Sequence, residues 1–473
     1  TSNQMYGRVR ELLATVNPHN EQVLLALVNG MAEFHPDVEA ALRRGPAAPT
    51  HGEEQRVAFD SWYLPRKRSL LTAYGVGTID QALLAGLATR HVGLRLLGLA
   101  GKCVIIDEVH AYDLYMSTIL DRLLEWLKEL GASVILLSAT LPAERRAELV
   151  RAFAGENAEL PSSGETSGAE APYPLVTLAE PGGAVRALPC GAAARSMSVR
   201  LERRTDGEAT REDTARWLLE ELKGGGRAVW ICNTVAEAQT VYRVLARERK
   251  KLPEVARPDL LLFHARFLMK DRRDIEERVL GRFGPQKEET PGAERPVILV
   301  ATQVVEQSLD LDFDLMVSQL APIDLLLQRI GRLWRHADRT ERGAFAEPRL
   351  VLLVPDRDGD GRPRFGTTGI VYSLHILLRT LAALETLRTP SVIQLPGEIR
   401  SLIEAVYDFR REVSAEALVA AGLVREWLEE TASRDDDERS RLQSEARKRL
   451  LGWPRPAGDF YVAGNEEVAM GEV

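Results

Sequence analysis

Short apolar runs that stop abruptly on polar residues recur along this chain, separated by segments of helix length. That alternation constrains its fold more than any other feature. CVIID, Cys103 to Asp107, is one such run, followed by an amphipathic segment from Leu114 to Leu130 and then by SVILLSAT, Ser133 to Thr140. Strand, helix and strand in that order predict a parallel pair with a crossover helix. RAVWICNT (Arg227 to Thr234), LLLFHARF (Leu260 to Phe267), PVILVATQ (Pro296 to Gln303) and DLMVSQLA (Asp314 to Ala321) repeat the pattern. Two α/β blocks with parallel sheets follow from it.

Residues 155–195 separate the blocks and are rich in Gly, Pro, Ser and Ala (PSSGETSGAEAPYP, AEPGGA), the composition of a linker or irregular connection. The expected organisation is therefore a first domain over 1–154, the connection, a second domain over 196–373 and a helical portion over 374–473. The last of these ends in ASRDDDERSRLQSEARKRL, expected to form a solvated helix. At 473 residues the chain is long enough for each block to bury its own core.

No apolar run reaches the roughly 18 residues that a membrane span needs, so no membrane partner is expected. The net charge of -8 gives no global basic footprint, so a nucleic acid would have to lie in a local groove. Three cysteines, Cys103, Cys190 and Cys232, are too far apart for a disulfide framework or a zinc cluster, which fits a reducing cytoplasm.

In a parallel sheet ligands gather at the carboxyl ends of the strands. Asp107 and Glu108 stand at such an end. A strand-end Asp can hold Mg²⁺ through its water shell, and a neighbouring carboxylate can orient a water for attack on a γ-phosphate. His110 follows, and Ser138-Ala139-Thr140 closes the next strand.

Together DEVH and SAT resemble motifs II and III of superfamily 2 helicases, whose motor is a pair of RecA-like domains clamping ATP. The fold expected from that resemblance is α/β with tandem RecA-like domains and a helical C-terminal portion. QRIGRLWRH, Gln328 to His336, resembles their motif VI, in which arginines reach the phosphates of ATP. A planar, permanently charged fork suits charge developing on phosphoryl oxygens. ATQVVEQSLDLDFD, Ala301 to Asp314, is similar to motif V, with Thr302 at the nucleic-acid backbone and Asp310 at the ribose. FHARF, with Arg266, resembles motif IV; in VGTIDQALL, Thr78 matches a phosphate contact; TSNQMY, with Ser2 and Asn3, resembles motif Ia. Small polar residues at a helix N-terminus suit phosphate binding there.

As a set these motifs resemble the CRISPR-associated helicase-nuclease of type I interference systems. Ser308, where generic helicases carry Gly, looks like that variant, and LPGEIRSLIEAVYD, Leu395 to Asp408, is a softer match. The resemblance implies an ATP-dependent motor acting on single-stranded DNA and recruited by the RNA-guided Cascade complex. Its nucleotide site would comprise Asp107, Glu108, Arg332 and Arg335, with His110, Ser138, Thr140, Gln328 and Arg329 binding or coupling. A generic superfamily 2 RNA helicase and a non-catalytic helicase-like scaffold remain alternatives.

Two family elements are missing from the sequence. No G-x-x-x-x-G-K-[ST] loop occurs; GLAGKCV carries Leu96 and Cys103 at two required positions and enters a strand instead of leaving one. The expectation is a chain truncated before motif Ia, with weak or absent ATPase activity alone. None of the eight histidines is followed by Asp, so the family's histidine-aspartate nuclease is expected in another segment or chain. DRDGDG, Asp356 to Gly361, copies half an EF-hand loop but has Thr367 where calcium needs Glu, and so predicts a hairpin or turn. Trp126, Trp217 and Trp230 lie among apolar neighbours and are expected in cores.

Overall fold

A computed structural model describes residues 2–16, 23–28, 57–58, 69–158, 173–190, 195–285, 295–306, 309–388 and 391–452. Ser308 lies outside them. Helix α1 (Ser2–Val16) precedes strands β1 (Val23–Val28), β2 (Val57–Ala58) and β3 (Tyr74–Gly77), which form a parallel sheet in the order β2-β1-β3. Gly77 lies so close to β1 that a Cβ there would stand 2.5 Å from the Val28 carbonyl oxygen. Only glycine permits that approach, and it lets the next amide, Thr78 N–H, donate to Val28 O at 3.1 Å.

Helices α2 (Ile79–Leu83) and α3 (Val92–Leu99) lead to β4 (Cys103–Ile106), α4 (Leu114–Glu129), β5 (Ser133–Leu136) and α5 (Ala143–Ala154). β4 and β5 pair in parallel, Cys103 opposite Ser133 through Ile106 opposite Leu136, with α4 as the expected crossover. Asp113 caps α4 by accepting the Met116 amide at 2.7 Å, and Leu120, Leu123, Leu124 and Leu127 bury its inner stripe.

The connection expected to be irregular contains a hairpin, β6 (Leu175–Ala179) with β7 (Val185–Pro189). Its turn uses Gly182 and Gly183, both at positive φ, so the glycines that read as linker composition serve a two-strand turn.

The second lobe runs β8 (Met197–Asp206), α6 (Glu208–Glu221), β9 (Arg227–Ile231), α7 (Val235–Lys250), β10 (Asp259–Phe263), α8 (Met269–Phe283), β11 (Val297–Ala301), β12 (Leu315–Gln319) and α9 (Ile323–Ile330). It continues with β13 (Arg349–Arg357), β14 (Pro363–Arg364), α10 (Thr368–Val371), α11 (Leu374–Leu384), β15 (Val392–Leu395), α12 (Ile399–Tyr407), α13 (Ala415–Ala420) and α14 (Arg425–Arg449). The sheet order is β10-β11-β9-β12-β13-β8-β15, parallel except for its last strand, with β14 pairing antiparallel to β13 off this path. β9, β11 and β12 are buried at every position because both faces are covered. Val229 and Ile231 enter one core with Leu299 and Met316, while Ala228 and Trp230 enter the other with Ile298 and Val317.

Two details differ from the sequence reading. The portion after 373 adds an edge strand, β15, to the second sheet, because Val392 and Ile393 pair with Arg200 and Val199. The charged helix α14 is solvated over most of its length but not at its ends: Leu428 and Ala446 are buried. Ala446 sits in the first-lobe core, and beyond it Ala88 N–H donates to Arg449 O while Leu451 N–H donates to Gly86 O, both at 2.9 Å. The half EF-hand sequence is the hairpin joining β13 to β14, as expected. Among the described residues no helix is long and apolar enough to cross a membrane.

Near its N-terminus α14 is tied to α11 by His375, whose Nδ1 meets Leu428 O at 3.2 Å. A carbonyl only accepts, so this nitrogen carries the proton. Burial, with Arg379 nearby, pulls the His375 pKa down and outweighs the opposing pull of Asp435 and Asp436. The unfolded chain therefore binds this proton first as pH falls, and stability contributed by the neutral ring is lost below about pH 6.5. Urea unfolding of wild type and His375→Gln checks this. The stability gap between them should narrow from pH 7.5 to pH 5.5; a constant gap contradicts it.

Candidate nucleotide and nucleic-acid site

The carboxyl end of β4 delivers Asp107 and Glu108 as the sequence requires, and Val109 N–H then binds Leu137 O at 3.2 Å, holding the turn against the end of β5. Glu108 adopts a left-handed backbone (φ 56), rare for a residue with a side chain. That turn sends the chain into a short 3₁₀ segment bearing His110. Asp107 is exposed; its Oδ1 accepts the Glu108 amide at 2.9 Å, and its carbonyl accepts the Tyr112 hydroxyl at 2.9 Å.

His110 is one point at which the two lobes meet. Its side chain is 2% exposed, its Nδ1 is 2.9 Å from Ser138 Oγ, and its Nε2 is 3.3 Å from Glu108 Oε2. Gln328 Nε2, from α9 of the other lobe, contacts the same Nε2. An amide nitrogen only donates, so with Gln328 bound the imidazole is neutral and passes its Nδ1 proton toward Ser138. A ring protonated at Nε2 pairs with Glu108 instead. One nitrogen thus chooses between a partner in its own lobe and one in the other. Thr140, also expected here, is buried, and its Oγ1 has no hydrogen-bond partner among the described residues; Gln328 Oε1 is in the same condition.

The arginines of α9 and the following turn divide their roles. Arg329 is fully enclosed. Its Nε donates to Glu306 Oε1 at 2.7 Å, one terminal nitrogen to Ser318 Oγ (2.8 Å) and Gln319 O (3.0 Å), and the other to Asn233 Oδ1 (3.1 Å) and Tyr372 (3.4 Å). The sequence reading assigned Arg329 to nucleotide binding or coupling; here all three nitrogens of its guanidinium are bonded inside the second lobe. Arg332 donates to the carbonyls of Leu309 and Glu306, both at 2.6 Å. Burial and the Arg335 charge push its pKa down to about 10, against the opposing fields of Asp310 and Glu108, and it stays charged at neutral pH. Glu108 is thus near enough to act on Arg332 across the cleft.

Arg335 and Asp310, both expected at ATP, are paired with each other at 2.6 Å, and His336 Nε2 adds a contact to the same carboxylate oxygen at 3.1 Å. Burial raises the Asp310 pKa, but His336 and Arg335 outweigh it and hold the carboxyl below its usual range. The turn beyond is anchored by a group the sequence reading missed. Asp312 and Asp314 are completely buried; Asp312 accepts Arg335 N–H (2.7 Å), Arg339 Nε (2.8 Å) and Arg342 (2.9 Å), while Asp314 accepts Arg227 N–H (2.9 Å) and meets Arg339 and Arg342. The signal was the L-D-L-D-F-D alternation. It resembles a half-exposed strand, but both faces are covered and its inner carboxylates meet arginines from 25 to 30 residues downstream.

The expected nucleic-acid residues lie apart from this cluster in the hydrogen-bond network. Thr302 is buried and opens a 3₁₀ turn without capping it. Thr78 is half-buried at the start of α2, likewise without a side-chain cap. Arg266 is exposed beside His264 and Phe267, whose rings stack at 4.2 Å. Ser2 and Asn3 open α1. Among the described residues no three His, Cys, Asp or Glu side chains converge on a metal site. An ion at Asp107 would therefore be held mainly by water and phosphate, for which an exposed strand-end carboxylate is suited.

Two parallel-sheet lobes that join a strand-end Asp-Glu-x-His to a Gln-Arg-x-x-Arg helix across a cleft define the tandem RecA-like core of a helicase. The family described as CRISPR-associated nuclease/helicase Cas3, C-terminal, matches residues 224–338. The Cas3 endonuclease/helicase of Thermus thermophilus is 39% identical over 86% of this chain and 45% of its own length. The crystal structure of T. fusca Cas3 superposes with a TM-score of 0.79 at 34% identity, covering 96% of this chain and 49% of that one; Cas3-ADP, Cas3-AMPPNP and Cas3-ATP structures of the same protein match as well. A chain in an RNA-guided CRISPR surveillance complex, pre-nicking, matches 94% of this chain and 54% of its own length, at 32% identity and TM-score 0.69. The chain belongs to the Cas3 helicase family and spans about half the length of these relatives.

The Arg329 node gives a stability prediction. Arg329→Met should leave Glu306 buried without its counter-charge and cost about 3–5 kcal/mol in urea unfolding. Arg335→Met, whose partner Asp310 is partly solvated, should cost under about 1 kcal/mol. Equal losses in the two variants would contradict this division of roles between the arginines.

Proposed function

We propose that this chain is most of an ATP-driven motor that translocates on and unwinds DNA in CRISPR type I interference. The observation that carries the reading is the chain of contacts from Ser138 through His110 to Gln328, in which His110 reaches Gln328 across the cleft. It gives two lobes a shared bond beside a strand-end carboxylate pair. ATP would lie between Asp107 and Glu108 on one side and Arg332 and Arg335 on the other. Bound Mg²⁺ would neutralise charge on the phosphates, held through water by Asp107.

The remaining work falls to the protein's own groups. Glu108 orients the attacking water. Arg335 leaves Asp310 for the phosphoryl oxygens, and Asp310 becomes available to the ribose. His110 reports the state of the pair through Ser138 to the turn ending at Thr140 and through Gln328 to α9. A single strand of DNA would cross both lobes past Ser2, Asn3, Thr78, Arg266 and Thr302.

The Cas3-ADP, Cas3-AMPPNP and Cas3-ATP structures of the T. fusca relative support the cofactor, and the surveillance-complex relative supports Cascade as recruiting partner. The relatives' names include a nuclease. In this proposal a histidine-aspartate nuclease and a phosphate-binding loop belong to the longer protein, since the chain spans about half the length of its relatives.

Magnesium-dependent ATP turnover, measured with and without single-stranded DNA or RNA, tests the proposal on this chain beside the longer protein. The longer protein should turn over ATP when DNA is present, and Glu108→Gln should slow it by about 100-fold or more. The 473-residue chain alone should be nearly inert. Comparable hydrolysis by the short chain, abolished by Asp107→Ala, would mean that phosphate is held in another way. Stimulation by RNA in preference to DNA would favour a generic RNA helicase.

A further inference from the structure

The LPGEIRSLIEAVYD segment matches the family only softly and has no part in the nucleotide site, yet it touches both lobes. Glu398 anchors it: its Oε1 accepts the Arg388 amide at 2.9 Å and its Oε2 the Gln394 amide at 2.7 Å. Leu402, Ile403 and Val406 of α12 are then buried in the second-lobe core, so the helix moves with that lobe. Glu404, buried on the same helix, reaches out of the lobe, and its Oε1 accepts the amide of Ala143 at 3.0 Å. Three residues on, Tyr407 donates its hydroxyl to Asp324 Oδ1 at 2.5 Å.

The two recipients give these bonds their meaning. Ala143 is the first residue of α5, which begins directly after Ser138-Ala139-Thr140-Leu141-Pro142. Pro142 stands at the N-cap and its side chain makes no cap bond, so the first amides of α5 look outward for an acceptor. A carboxylate is favoured there by the helix dipole as well as by the hydrogen bond. The acceptor comes from the other lobe. Asp324 lies in the first turn of α9, the helix whose last turn carries Gln328 and Arg329. One short helix therefore grips the segment after the His110–Ser138 contact and the helix bearing Gln328.

Neither bond is an exposed ion pair of negligible weight. Glu404 is 4% exposed and Asp324 9%, so breaking either contact strands a polar group away from water. Arg400 flanks Glu404 at 3.5 Å within α12 and keeps its charge compensated without reaching the other lobe's amide. The nearby Arg410–Glu144 pair is long, at 4.0 Å, and solvated, and adds little.

We propose that α12 is a crossbar between the lobes, with Glu404 and Tyr407 as positioning residues that hold the Ser138–Thr140 turn and the Gln328 helix in register for DNA-stimulated ATP turnover. The positioning role rests on the motor reading of the cleft; the contact itself does not. Two measurements on the full-length protein separate them: amide hydrogen exchange at Ala143, and kcat and KM for ATP with and without single-stranded DNA.

Glu404→Ala should speed exchange at Ala143 by about tenfold or more. It should also lower the factor by which DNA raises kcat about five- to tenfold, with KM for ATP little changed. Glu404→Gln keeps an acceptor oxygen and should restore both. Tyr407→Phe, which removes one hydroxyl from the second lobe, should lower DNA stimulation while leaving Ala143 protected.

Unchanged exchange in Glu404→Ala would overturn the contact. Turnover with and without DNA falling in proportion, in both Glu404→Ala and Tyr407→Phe, would overturn the positioning role in favour of a merely structural one. A wild-type protein that turns over no ATP, yet keeps Ala143 protected, would defeat the motor reading and the positioning role while leaving the interlobe bond standing.

Discussion

A single guanidinium organises the second lobe. Arg329 is enclosed in protein and ties together the turn after β11 through Glu306, the end of β12 through Ser318 and Gln319, the end of β9 through Asn233, and Tyr372 beyond α10. Those are the carboxyl ends of neighbouring parallel strands, where a site must be built. A buried charge is tolerated only when its donors are matched, and a planar five-donor fork can satisfy several loops at once. Its neighbours inherit the result: with Arg329 fixed inward, Gln328 projects toward the other lobe and Arg332 lies against the turn bearing Glu306 and Leu309.

Much of this was legible in the sequence, for a definite reason. Parallel strands covered on both faces must be largely apolar, so RAVWI, VILVA and LMVSQ announce themselves, and CVII reads the same way although one face of β4 is exposed; their ends place the site residues. Asp107, Glu108, His110, Ser138 and Gln328 could therefore be named in advance, and the structure joins the last four. What was not legible depends on partners remote in sequence. Arg329 and Arg332 sit in one motif, yet one closes a buried network and the other meets two carbonyls. The burial of Asp312 and Asp314 was not legible because local alternation cannot reveal that Arg339 and Arg342 fold back onto them. The same holds for β15, whose four residues are too few for periodicity to identify.

The lobes are thus joined at several points of different character. α14 crosses from Leu428 in the second-lobe periphery to Ala446 in the first-lobe core, a tether with a largely solvated middle. Glu404 holds the start of α5, and Gln328 holds His110. Only the last lies beside the carboxylate pair. Under the proposed mechanism, that contact is where events at the nucleotide become movement between lobes, with Glu108 as the competing partner of the same imidazole nitrogen.

A double-mutant cycle on that bond tests the claim most directly. DNA-stimulated ATP turnover would be measured in the full-length protein for His110→Ala, Gln328→Ala and the pair together. If the bond carries the coupling, the double variant should be no slower than the slower single variant, within about twofold. If the two losses instead multiply, the residues act independently, and the cleft contact between His110 and Gln328 does not couple the lobes.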